Sequence, residues 1–149
     1  QVVDFKCLVR SIPANKISFN YRSIDLPKDL IFLSATFKGK EKNREEIYNY
    51  MNKLNAIKNM AQPTKIKTGG STFKNPIDQT DKKVWELIRL SVPTGTHYGD
   101  AVISEKHANF FVNKKNAKSA DMKSLINFVK KKVKDKTGVK LELEIVLVE

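Results

Sequence analysis

The chain has 149 residues, 40% of them hydrophobic, enough for one ordinary core or for one domain with a piece of another. Lys and Arg outnumber Asp and Glu by 28 to 16, a formal charge of +12 that would draw the chain toward polyanions or phosphorylated ligands without choosing between them. No run approaches the roughly 18 apolar residues of a membrane helix, Cys7 is the only cysteine, and His97 and His107 are the only histidines. An internal disulfide and a cysteine-built zinc site are therefore excluded, no metal site is expected, and a reducing cytosol is the simpler compartment.

In chain order, Val2 to Arg10 and Ile17 to Tyr21 read as strands around the turn-like Pro13-Ala14-Asn15, and Leu30 to Phe37 reads as a third. A strand-like run this close to Gln1 suggests a piece of a longer protein. Asn43 is placed to cap a helix with Glu46 three positions on, and Ile47, Met51, Leu54 and Ile57 then repeat at helical spacing, predicting a helix over 43–60. Between Ala61 and Asp81 periodicity gives way to Pro63, Gly69, Gly70, Asn75 and Pro76, the composition of a functional loop. A short helix follows over 83–90, with Trp85 and Ile88 as core candidates and Val92-Pro93 ending it.

Short strands are expected at 99–104 and 109–113. Ser119 is expected to cap the next helix, where Met122, Leu125, Ile126, Val129 and Val133 make an apolar stripe ahead of Gly138. The alternation from Leu141 to Val148 predicts a final strand. The fold class is α+β.

The densest candidate for chemistry is Gly69-Gly70-Ser71-Thr72-Phe73-Lys74-Asn75-Pro76. Its amides, hydroxyls and ammonium group suit a phosphate or carboxylate, but it has neither Walker-loop spacing nor a dinucleotide fingerprint, and composition alone favours a tight turn. As a motif it says more. Gly-Ser-Thr-Phe-Lys-Asn-Pro resembles the signature of the UDP-N-acetylenolpyruvoylglucosamine reductases, the MurB family. Phe19-Asn20-Tyr21-Arg22-Ser23 resembles that family's Phe-x-Tyr-Arg-Ser element, and Gln62-Pro63 stands before the glycines as it does there. Val102 to Asn113 and Leu141 to Ile145 match two further family stretches in the same order.

The resemblance implies an enzyme of bacterial cell-wall precursor synthesis that reduces the enolpyruvyl ether of UDP-N-acetylglucosamine, with hydride passing from NADPH through FAD. It implies that Arg22 holds the substrate carboxylate, Glu144 polarises it or manages the proton, and Ser71 delivers a proton to carbon. Tyr21, Gly70, Lys74 and Asn75 become substrate contacts by the same likeness. Read without it, Arg22 is a surface ion-pair residue and Glu144 the solvent side of a strand. His107 is expected to make a structural hydrogen bond.

The family's glycine-rich flavin-binding segments would lie upstream of Gln1. The resemblance therefore implies antiparallel strands from the tail of a flavin-binding domain over 1–60, then a small mixed α/β substrate-binding domain over 61–149. FAD and NADPH belong to the full-length enzyme, with none expected on this fragment alone; the missing N-terminal FAD-binding region is a partner, and a cytoplasmic location is implied. The sequence departs from the family over Val84 to Gly95, at Asp100 in place of a glycine, and at Lys58 in place of an arginine, which leaves local substrate contacts open. Two other readings are an inactive remnant of the enzyme and a basic nucleic-acid-binding module built on Lys130-Lys131-Lys132; no aromatics interleave those lysines, so neither nucleic acid nor membrane is expected as a partner.

Overall fold

Short strands dominate the beginning of the chain. In the computed structural model, which describes residues 1–148, two compact units form, Gln1–Asn43 and Arg44–Glu149. The first holds β1 (Val2–Val3), β2 (Val9–Arg10), β3 (Phe19–Asn20), β4 (Ser23–Ile24) and β5 (Ile31–Phe32). Strand β1 lies between β2 and β5, and β3 pairs with β4, all antiparallel.

The expected strand over 2–10 is therefore a hairpin. Asp4 turns the chain by accepting the backbone N–H groups of Lys6 and Leu8 at 2.9 and 3.1 Å, and Cys7 takes a positive φ of 62°. This is the local competition by which an Asp side chain ends a strand. The strands expected at 17–21 and 30–37 shorten to two residues each, the first because Tyr21 and Arg22 form the β3–β4 turn.

The second unit holds α1 (Arg44–Ala61), β6 (Lys67–Ser71), α2 (Val84–Ser91), β7 (His97–Tyr98), β8 (Ala101–Ile103), β9 (Phe110–Asn113) and α3 (Ser119–Thr137). A four-stranded antiparallel sheet runs β6-β9-β8-β7. Helices α2 and α3 pack on each other, and α3 also packs on β7 and β8. Every strand pairing among the described residues is antiparallel, and helices cover the sheet, so the architecture is α+β.

The core follows from helical periodicity. Leu125, Ile126, Val129 and Val133 recur at three- and four-residue spacing on α3 and are buried, meeting Val84, Leu87 and Ile88 of α2 beside Phe73, Ala101, Phe111 and Leu141. The cap position of α3 is Lys118 rather than Ser119, and Asp121 accepts its N–H at 2.9 Å. Gly138 ends the helix in the left-handed conformation, its N–H reaching the Lys134 carbonyl at 2.8 Å. Trp85, expected inside, is exposed: it falls one position off the Val84–Ile88 stripe, and the Arg89 guanidinium lies 5.3 Å from its ring centroid.

Two expectations for the sheet change. The segment 61–81 is not loop throughout, because Lys67–Ser71 joins the sheet beside β9 despite its glycines. The final strand over 141–148 does not form; the segment makes one isolated bridge, Phe73 to Leu143, after which Val146 and Val148 are exposed. The backbone bonds of Lys74 to Glu142 and of Glu144 to Thr72 flank that bridge, so the pairing is confined to 142–144.

Candidate functional site

The glycine pair is a bulge. Lys67 and Thr68 pair with Asn113 and Val112, whereas Ser71 pairs with Phe110, so the register slips by one residue across Gly69-Gly70. Gly70 takes φ +84°, a conformation a side chain would strain, and a Cβ on Gly69 would sit 3.5 Å from Ile145 Cγ2. The bulge re-aims the chain just before Ser71. The Thr68 hydroxyl braces it, donating to the Phe111 carbonyl at 2.7 Å and accepting the Gly70 N–H at 3.2 Å.

Beyond Ser71 the backbone is gripped from two sides. The Glu144 N–H donates to the Thr72 carbonyl and the Lys74 N–H to the Glu142 carbonyl, each at 2.9 Å. On the other side the Thr72 N–H reaches the Asn109 carbonyl at 2.7 Å, and the Asn109 amide both accepts the Phe73 N–H at 2.9 Å and donates to the Phe73 carbonyl at 2.8 Å. Phe73 points into the core and meets Phe111 edge-on at 5.8 Å. Glu144 is half-buried.

Five of the residues singled out in the sequence thus share one small region: Gly70, Ser71, Lys74 and Asn75 lie on one segment, and Glu144 faces it across paired backbone. The Asn75 side chain accepts the Val84 N–H at 3.1 Å, so it fixes the start of α2. Lys74 Nζ stands 3.8 Å from a Glu142 carboxylate oxygen in an exposed pair of the kind worth under about 1 kcal/mol. Tyr21 and Arg22 occupy the β3–β4 turn of the first unit, where Arg22 has φ 58° and its guanidinium lies 5.2 Å from the Tyr21 ring centroid.

His107 behaves as a structural group. Its Nδ1 accepts the Asn109 N–H at 3.2 Å and its ring meets Phe110 edge-on at 4.9 Å. Burial, assisted by the nearby Arg89 charge, holds its pKa below the ordinary value of 6.5. No cluster of three or more His, Cys, Asp or Glu side chains suited to a metal occurs among the described residues. A cavity of about 470 Å³ in the same unit takes in Ile66, Val102, Val112, Lys106 and Lys114.

The motifs do not single out Asn109: an asparagine ahead of a strand carries no signal of what its side chain grips, and only the folded position of Phe73 reveals it.

A small α+β domain with a glycine bulge feeding a doubly held Ser-Thr-Phe segment is the class defined by this geometry. Residues 62–148 match the model of the UDP-N-acetylenolpyruvoylglucosamine reductase C-terminal domain. The chain belongs to the UDP-N-acetylenolpyruvoylglucosamine reductase family. It is 61% identical over 145 residues to the reductase of that name from Pelagibacter ubique (strain HTCC1062), covering 97% of this chain and 48% of the relative. The reductase of Rickettsia bellii (strain RML369-C) is 43% identical, with 97% of this chain and 47% of the relative covered. A crystal structure of the Thermus caldophilus reductase, MurB, superposes with a TM-score of 0.68 at 33% identity, covering 87% of this chain and 45% of that one. The chain thus spans about half the length of these relatives.

Proposed function

We propose that this chain is the substrate-binding part of an enzyme that reduces the enolpyruvyl ether of UDP-N-acetylglucosamine in peptidoglycan precursor synthesis. The observation that carries the reading is the bulge-held Ser71 on a segment whose backbone pairs with that of Glu144. In the whole enzyme, FAD reduced by NADPH would supply the hydride. The bulge at Gly69-Gly70 lies in a strand, not at a helix N-terminus after a Rossmann strand, so it does not fit a flavin pyrophosphate. The cofactors are assigned to the remainder of the enzyme and no step here is routed through them.

Hydride addition to the enolpyruvyl double bond leaves negative charge delocalised into the carboxylate, and the adjacent carbon must then take a proton. Ser71 is the proposed proton donor and Glu144 the group that manages carboxylate charge or relays the proton. Serine is a poor acid in water; against a strongly basic enolate in a sheltered site the transfer becomes favourable. Arg22 is the proposed carboxylate partner, since a planar guanidinium matches a carboxylate's two oxygens. Tyr21, Gly70, Lys74 and Asn75 are the proposed substrate contacts, Lys74 and Asn75 to the sugar or diphosphate. Residues 1–60 belong in this proposal with the tail of the flavin-binding region and 61–149 with the substrate domain. The proposed location is the cytoplasm; no described helix is long and apolar enough to cross a membrane.

The test is Ser71→Ala in the whole reductase, followed by stopped-flow absorbance of the flavin. Reduction by NADPH needs no proton for the substrate and should proceed normally. Reoxidation by substrate should slow toward the upper part of the roughly 100- to 10,000-fold range of a general acid. Unchanged reoxidation would remove Ser71 from the chemistry.

A further inference from the structure

The side chain of Asn109 does what strand pairing cannot do at this place. Strand β9 begins at Phe110, whose partner is Ser71, and one residue earlier the Asn109 carbonyl still takes the Thr72 N–H. At Phe73 the β6–β9 ladder has run out, although the other edge of the segment is bridged to Leu143. There the Asn109 amide closes a two-bond ring with the N–H and carbonyl of Phe73, in place of a backbone rung. Asn109 is 4% exposed, so water does not compete for these bonds. One buried residue thus makes three hydrogen bonds to the dipeptide that immediately follows Ser71.

Few side chains fit this task. The ring needs an acceptor and a donor on one planar group at backbone spacing, which a carboxamide provides. A leucine of similar size provides neither, and an ionised carboxylate would face the Phe73 carbonyl with like charge. The other end of the segment is fixed independently by the bulge at Gly69-Gly70 and by Thr68. Ser71 lies between two anchors, one on each side in sequence. The second anchor is itself oriented, because the Asn109 N–H is held by His107 Nδ1.

We propose that Asn109 is a positioning residue for proton delivery, setting the placement of the Ser71 hydroxyl through its grip on Thr72 and Phe73; this rests on the reading of Ser71 given above. The amide touches no reacting atom. Its loss leaves Ser71 chemically intact and the backbone bonds of Thr72 in place, but releases Phe73 on the β9 side and so loosens the segment that sets Ser71; a misplacement of about 1 Å costs on the order of 100-fold in rate. Lys74 and Asn75, the proposed substrate contacts beyond Phe73, are held separately by the Glu142 carbonyl and the Val84 N–H, so the loss appears in kcat far more than in KM.

Two measurements test the inference. In the 149-residue chain, amide hydrogen exchange in Asn109→Leu should accelerate at Phe73 by at least about tenfold while Leu125 and Val129 keep their protection, because the bonds lost are local. Unchanged exchange at Phe73 would overturn the clamp. In the whole reductase, Asn109→Leu should slow flavin reoxidation by substrate about 10- to 100-fold, leave reduction by NADPH intact, and add little to Ser71→Ala in the double variant.

A full additional loss on top of Ser71→Ala, or equal damage to both half-reactions, would show a merely structural role and overturn the proposal. Asn109→Asp guards against a folding failure in the leucine variant: it keeps an acceptor for the Phe73 N–H and, when protonated, a donor for the carbonyl. Its reoxidation rate should fall between the parent and Asn109→Leu, and drop toward the latter as pH rises and the carboxyl ionises. The same rate as the parent at every pH would count against the ring. If Ser71→Ala is harmless while Phe73 exchange responds as expected, the reading of Ser71 fails and the clamp stands as a local structural bond; if Ser71→Ala is slow and Asn109→Leu is fast, only the positioning inference fails.

Discussion

At the scale of single residues, His107 shows how a neighbouring bond decides what a titratable group can do. Its Nδ1 is committed to the Asn109 N–H, which requires an unprotonated nitrogen there, and burial and Arg89 both disfavour the cation. The folded-state pKa is thus lower than the unfolded value, and between the two the unfolded chain binds more protons. The stabilisation is fully present above about 6.5 and is lost as pH falls from there toward the folded-state value. Thermal melting from pH 7.5 to 5.5 should show the midpoint falling, and falling less in His107→Gln, whose side chain accepts a bond without titrating. Identical pH slopes in the two proteins would assign the acid sensitivity to other groups.

At the scale of elements, legibility followed the range of the forces involved. Helix α3 was readable because its stripe, its left-handed glycine stop and its acidic first turn are all local features of one stretch. The α1 bounds were readable for the same reason, although no residue of that helix is buried. Strands are less legible, because an apolar alternation states a preference for a pleated surface and says nothing of whether a partner is near. Leu141 to Val148 therefore reads as a strand yet makes one bridge, while glycine-rich Lys67–Ser71 reads as loop yet pairs with β9.

The site divided in the same manner. Motif likeness singles out the Ser71 segment, Arg22 and Glu144 as candidates, and the backbone of Glu144 lies against the Ser71 segment; the Asn109 ring depends on three-dimensional proximity across 36 residues of sequence. Because the α3 stripe meets α2 with no exposure at Leu125, Leu125→Ala should cost about 2–5 kcal/mol in denaturant unfolding, while Lys130→Ala on the exposed face stays within about 0.5 kcal/mol. Equal effects would mean that the α2–α3 seam carries little of the stability.

At the scale of the whole molecule, apolar surface and charge oppose each other. The core draws on residues from Phe73 to Leu141, whereas much of the exposed apolar surface lies before it: Phe5, Leu8, Val9, Ile31, Phe32, Leu33 and Phe37 in the first unit, and Ile47, Met51, Leu54 and Ile57 along α1. Strands β2 and β5 are the outer strands of their sheet, and β5 presents Ile31 and Phe32 at 53% and 57% exposure. Such an edge is a template for another chain. The formal charge of +12 works against self-pairing, with a reach set by salt.

At about 0.15 M salt the Debye length is roughly 8 Å, so repulsion between molecules is largely screened while apolar contact is not. Sulfate strengthens the apolar term further. The 149-residue chain should therefore be most nearly monomeric in dilute buffer and associate as sodium chloride, and more strongly sodium sulfate, is added, as read by light scattering at fixed protein concentration. Phe32→Lys places a charge on the outer strand and should move the onset to higher salt. A mass that falls as salt is added would mean that opposite charges hold the assembly together, and a monomer throughout would mean that the exposed edges do not pair.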